Sequence, residues 1–174
     1  MNPHLNLGIA LVWSVLCGPL LAQPVLPHVT AKVTVEDSND YKDIAGSNER
    51  SKVQRRQLSV ALDNRDADGV KDVQVKWTIY AHKLDGNLLV TVKQGTIKAK
   101  LEPLKILTVE SDKVVIRGTP KHTVTTRGTV RGKLVLNTKH HEATGEDYYG
   151  YAVEVFVGSV LVAEIYSQPS LKHG

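Results

Sequence analysis

Apolar side chains recur at every second position along most of this chain. Val29, Ala31, Val33 and Val35 alternate with polar residues, as do Leu58, Val60 and Leu62, and then Val73, Val75, Trp77 and Ile79. On an extended backbone successive side chains point to opposite faces, so each such run predicts a strand with one buried side. Further runs rich in Val, Ile, Thr and Tyr follow at "NLLVTV", "TIKAKL", "KILTVE", "KVVIRG", "HTVTT", "GKLVLN" and "YYGYAVEVFVGSVLVAEIYS". Gly, Pro, Asn or Asp separates them, and no stretch carries the helical period. Short strands at intervals of about ten residues predict an all-β fold, an antiparallel immunoglobulin-like β-sandwich of about seven to nine strands.

Two segments depart from the alternation. "EDSNDYKDIAGSNERSKVQRRQ", residues 36–57, is charged and poor in aliphatics, which predicts a mobile polar loop between the first two strands. At the last hairpin the pattern admits two registers. A turn at Gly158-Ser159 sets Glu164 across from Val153. A three-residue turn, Val157 to Ser159, segregates Glu154 and Glu164 from the apolar face and is the preferred reading.

The first 22 residues follow neither pattern. From Leu5 to Ala22 no residue is charged, and Leu, Ile, Val and Trp dominate. A short apolar run ending in Pro19 and Ala22 reads as a signal peptide, residues 1–22, cut before Gln23. Pro19, Pro24 and Pro27 interrupt the stretch, which argues against a retained anchor, so no transmembrane segment is expected after cleavage. Cys17 is the chain's single cysteine, and Leu16 before it does not suit lipid attachment. Residues 23–174 are then one cysteine-free domain of about 150 residues, large enough to stand on its core without disulfides. Export without cysteine suits a bacterial envelope, so a secreted or periplasmic location is expected.

The net charge of +4 is scattered among the strands, with one denser run, "RSKVQRRQ". It reads as solvated strand faces, with a weak attraction to polyanions such as lipid headgroups or anionic polysaccharide as the alternative. Few aromatics and no reading motif argue against nucleic-acid binding.

Candidate chemistry is sparse. In "NRDADG", Asn64, Asp66 and Asp68 stand at alternate positions before Gly69, with Asp72 further on, the opening of a calcium loop. Val75 occupies the place of the bidentate Glu, and the flanks are strands. An acidic turn needs the same residue types and is the preferred reading. "KHHEATGEDYYGY" gathers His140, His141, Glu142, Glu146 and Asp147, but adjacent histidines on an extended chain point apart and no zinc spacing occurs. Tyr148, Tyr149 and Tyr151 form a candidate sugar-stacking platform, against which stands a role in closing the core. Trp77 reads as core. No nucleophile elbow or metalloprotease motif is present, no cofactor is expected, and a non-enzymatic protein is the reading.

"RRQLSVALDNRDADGVKDVQVKWTIYAHKLDG" and "YYGYAVEVFVGSVLVAEIYSQPSLK" resemble exported bacterial β-sandwich proteins of the immunoglobulin-like and FxLYD type. That resemblance implies that Asn64 ends one strand and "DADG" links it to the next. It brings no activity or site residues. The expected role is interaction with a protein or the envelope surface, with edge strands such as "NLLVTV" open to a partner strand. A carbohydrate-binding module and an unmarked hydrolase are the alternatives.

Overall fold

In a computed structural model, which describes residues 27–173, ten strands build the molecule and no α-helix occurs among the described residues. They are β1 (Val29–Asp43), β2 (Arg50–Asn64), β3 (Lys71–Lys83), β4 (Leu89–Leu101), β5 (Ile106–Glu110), β6 (Val114–Thr119), β7 (His122–Val130), β8 (Lys133–His141), β9 (Thr144–Val157) and β10 (Val160–Tyr166). A 3-10 turn, Pro169–His173, ends the described chain. The expected signal peptide, residues 1–22, and its expected cleavage point lie outside the described residues. No helix among those described is long and apolar enough to cross a membrane.

Every strand pairing is antiparallel. One layer consists of β1, β2 and, along the far edge of β2, β5 followed by β6. Ser111 bridges that interruption: its N–H donates to the Leu58 carbonyl (2.8 Å), and its hydroxyl accepts from the Leu58 N–H (2.9 Å). The second layer runs β4, β3, β9, β10. The inner faces meet in one core containing Leu58, Val60 and Leu62 of β2, Val114 and Ile116 of β6, and Val73, Val75, Trp77 and Ile79 of β3. The sandwich and the buried place of Trp77 are therefore as the alternation implies.

The layers are joined by β9, whose first residues pair with β6 at Gly118↔Gly145 and Thr119↔Thr144 before the strand continues between β3 and β10. The approach is close. A Cβ on Gly145 would overlap the carbonyl oxygen of Arg117, and one on Gly118 would sit 2.6 Å from that of Glu146. Gly145 also has φ +83°, a conformation that strains any L side chain.

The expected polar loop at 36–57 is corrected. Glu36 to Asp43 pair residue by residue with Arg50 to Gln57, leaving only Ile44 to Glu49 as the turn. The ladder satisfies the backbone, and Arg50–Asp43 (2.7 Å) and Arg55–Asp40 ion pairs line the ribbon. A second ribbon leaves the sandwich from the glycine junction. β7 and β8 continue the register of β6 and β9 beyond a short break at Pro120-Lys121, and form a two-stranded sheet of their own. Proline has no N–H to donate there, which suits an interrupted ladder. Thr125 N–H donates to the Gly46 carbonyl (3.0 Å), where the two ribbons touch.

The last hairpin also differs from expectation. Its turn is Gly158-Ser159, with Val157 opposite Val160, so the two-residue turn wins. A bulge at Val162 then shifts the register, setting Ala163 opposite Val155 and Glu164 opposite Glu154. The glutamates are segregated by a bulge rather than by a longer turn.

Replacing Gly145 by Ala should destabilise the protein by about 1–3 kcal/mol or more through the forced positive φ and the carbonyl overlap. Gly128→Ala, in open space on β7, should change stability by less than about 0.5 kcal/mol. Urea unfolding midpoints of the two variants check this.

Candidate functional site

The acidic turn after β2 is built around Asn64, whose side chain is buried. Its amide nitrogen donates to the Glu102 carbonyl (2.9 Å), and its oxygen accepts from the Asp66 N–H (3.2 Å), an Asx-type turn. Asp66 turns to its own partners: its Oδ2 receives the His28 N–H (3.1 Å) and lies 2.8 Å from Lys71 Nζ. Hydrogen bonding from Lys71 is the main cause that holds the Asp66 carboxyl below the ordinary carboxylate range. Asp68 is exposed, and Asp72 contributes its carbonyl to the Gly158 N–H (3.0 Å). Asn64, Asp66, Asp68 and Asp72 thus do not converge on a common point. The Lys71 ammonium already pairs with the Asp66 carboxylate. Among the described residues no group of three or more His, Cys, Asp or Glu is gathered to hold a metal.

The three tyrosines do not share a face, which corrects the platform reading. Tyr148 and Tyr151 pack against the core opposite Ala81 and Ile79. The Arg56 guanidinium lies 4.7 Å from the Tyr148 ring centroid, a contact worth about 0.5–2 kcal/mol. Burial foremost raises the Tyr148 pKa, against the opposing charge of Arg56. Tyr149 sits at the β9 irregularity, stacked on His82 (4.3 Å) with its hydroxyl on Ser170. The histidine-rich loop is likewise dispersed. His141 stacks on His122 across the ribbon (4.8 Å), His140 bonds Thr123 (2.9 Å), Asp147 pairs with Lys52 (3.0 Å), and Glu142 with Lys121 (3.1 Å).

Two features that the alternation does not reveal stand out instead. The first is an open trough of about 530 Å³ on the outer face of the β4-β3-β9-β10 layer. Its floor is made by Thr78, Gln94 and Ala152, neighbours across three strands, and Tyr80 and Tyr166 stand beside it with Glu154. The C-terminal 3-10 turn supplies a wall through Leu171 and Lys172. Desolvation first, then the carboxylates of Glu164 and Glu154, raise the Tyr166 pKa above the ordinary phenol value. Its hydroxyl donates to the Glu164 carboxylate at 3.5 Å.

The second feature is the β7–β8 ribbon, which exposes Val130, Leu134, Val135 and Leu136. Residues 121–141 include Lys121, Arg127, Arg131, Lys133 and Lys139 and no Asp or Glu. Arg131 (φ +50°) and Gly132 (φ +75°) form its two-residue turn, the left-handed pair that matches strand twist. The outer edge of β4, the expected docking strand, ends its layer without a further strand among the described residues. No family model and no curated protein matches the chain.

Asp66 contributes stability that is present above its unfolded pKa and lost as pH falls through the lower folded value. Thermal melts should show wild type above Asp66→Asn at neutral pH, with the gap closing below about pH 4. Calorimetric titration with calcium should give no saturable heat in either protein.

Proposed function

We propose that this chain is a non-enzymatic, exported interaction protein whose contact element is the β7–β8 ribbon. The observation that carries this reading is the exposure of four aliphatic side chains, Val130, Leu134, Val135 and Leu136, on a two-stranded projection that the core does not use. Exposed aliphatics clustered on an element with no packing role mark a contact surface. The sandwich serves as a rigid base, fixed to the ribbon through the glycine junction of β6 and β9. The proposal includes secretion or a periplasmic location, with cleavage of residues 1–22, and an immunoglobulin-like character for the sandwich. The buried Asn64 at the end of β2, followed by its turn, supports that likeness.

A second reading is carbohydrate binding, and the trough favours it over the tyrosine trio. Two tyrosines beside a floor of Thr78 and Gln94 combine an apolar ring surface with groups that both donate and accept hydrogen bonds. The volume lies within the range of small-molecule sites, about 300–1,000 Å³.

A photo-crosslinking side chain in place of Leu136 should capture envelope components, whereas one in place of exposed Lys100 should not. Equal capture at both positions removes the case for the ribbon. A glycan array tests the second reading: saturable binding lost in Tyr166→Ala but kept in Tyr149→Ala is its expected result.

A further inference from the structure

We infer that the tip of the β7–β8 ribbon inserts into the headgroup layer of an anionic phospholipid bilayer. This rests on the ribbon being the contact element and names what it contacts. Cross-strand partners share a face, so the register sorts the side chains. Leu134 and Leu136 lie on one face with Thr129 and Arg127, whereas Val130 and Val135 lie on the other with Lys133 and Gly128. All four aliphatics are open to solvent, Leu134 at 69% and Val130 at 59% exposure. Each face near the tip carries two aliphatics and one cation, with Arg131 in the turn between them.

Aliphatics on both faces decide the kind of partner. A flat protein surface covers one face of a hairpin, whereas an interfacial lipid layer surrounds an inserted tip and meets the aliphatics of both faces at once. The cations point the same way. Arg127, Arg131, Lys133 and Lys139 have no ion-pair partner among the described residues. Around the turn Arg127, Arg131 and Lys133 offer donors to phosphates, with the long side chains of Arg131 and Lys133 able to reach back toward the headgroups. A second copy of this ribbon would bring the same positive charge and be repelled. The β1–β2 ribbon touches β7 near Gly46, at Val124 and Thr125, well away from the tip.

Dimensions agree. Four rungs, from Val130↔Lys133 to Arg127↔Leu136, span about 10 Å at the strand rise. Interfacial elements bury their apolar side about 5–10 Å deep. A deeper position is disfavoured, because the two outer edges of β7 and β8 would carry unpaired N–H and C=O groups into hydrocarbon. The ribbon thus suits a shallow, salt-sensitive attachment.

The test is flotation with vesicles of phosphatidylglycerol and phosphatidylcholine in equal parts, against phosphatidylcholine alone. The full chain is used throughout, so its apolar N-terminal stretch is common to every variant. Binding should favour the anionic vesicles and weaken with salt. It should fall at least about tenfold in Arg127→Glu/Lys133→Glu and in Leu134→Ser/Leu136→Ser. These positions are exposed, so unchanged melting curves will separate lost binding from lost fold. Leu134→Trp and Val135→Trp, read by brominated lipid, should both be quenched. Quenching at neither position or at one face only overturns the insertion, as does binding that ignores the charge of the lipid. Capture of a protein through Leu136 without vesicle binding would also overturn it, while leaving the ribbon as the contact element. Loss of both would remove the two readings together.

Discussion

The two layers are held in one molecule at a place where two backbones come closer than side chains allow. Gly118 of β6 and Gly145 of β9 meet without a Cβ on either, and β9 thereby belongs to both sheets. Above that junction β9 lies between β3 and β10, and its Val153 and Val155 complete the core. Below it the same pair of strands, in the same register, becomes the β7–β8 ribbon. The clamp therefore sets both how the sandwich closes at that end and where its projection leaves. Polar burial nearby follows from the same geometry. Gln54 and Arg56 occupy inward positions of β2 beside the junction, and Tyr148 of β9 is held by both, through its N–H to the Gln54 side chain (3.0 Å) and through its ring under Arg56. The core ends there in hydrogen bonds rather than in a gap.

Alternation in the chain marked the strands that face a core and missed those that do not. Val73 to Ile79 was legible because every second residue is excluded from water. Residues 36–43 are exposed throughout, and in 50–57 the inward positions are the polar Gln54 and Arg56, so neither stretch shows the asymmetry as an alternation of apolar residues. Their strand character rests on backbone pairing and on ion pairs such as Arg50–Asp43, which leave no periodic trace in composition. The last hairpin fails for a related reason. Segregation of Glu154 from the apolar face was correctly inferred, but a single bulged residue, Val162, achieves it. A bulge has the composition of the strand around it.

The chemistry was legible to the extent that it is local. Asn64, Asp66 and Gly69 form a turn because their bonding partners are nearby in sequence, and Lys71, five residues after Asp66, quenches the charge that suggested a cation. Tyr148 and Tyr151 take the core-closing place, the alternative to the platform, and the irregularity between Tyr80 and Ala81 sets Tyr149 apart from them. The trough could not be read at all. Thr78, Gln94 and Ala152 are ordinary outward residues of three strands, and only the register β4-β3-β9 makes them neighbours.

The two ribbons show that architecture alone does not assign a role. Both are in-register hairpins that leave the same end of the sandwich, and they touch at Gly46. Along β1–β2 beyond the core, acidic and basic residues are interleaved and pair with each other, and Tyr41 and Ile44 are its only large apolar side chains besides Val53. A surface of that kind is satisfied in water and gains little from a partner. Along β7–β8 the cations stand without acids, and the aliphatics stand without a core. Keeping those aliphatics hydrated costs free energy that folding does not recover, at about 25 cal/mol per Å². Such a cost is removed only by a second surface, and the positive charge beside it restricts which surfaces can approach. The element proposed for contact is thus one whose aliphatic side chains the core does not use.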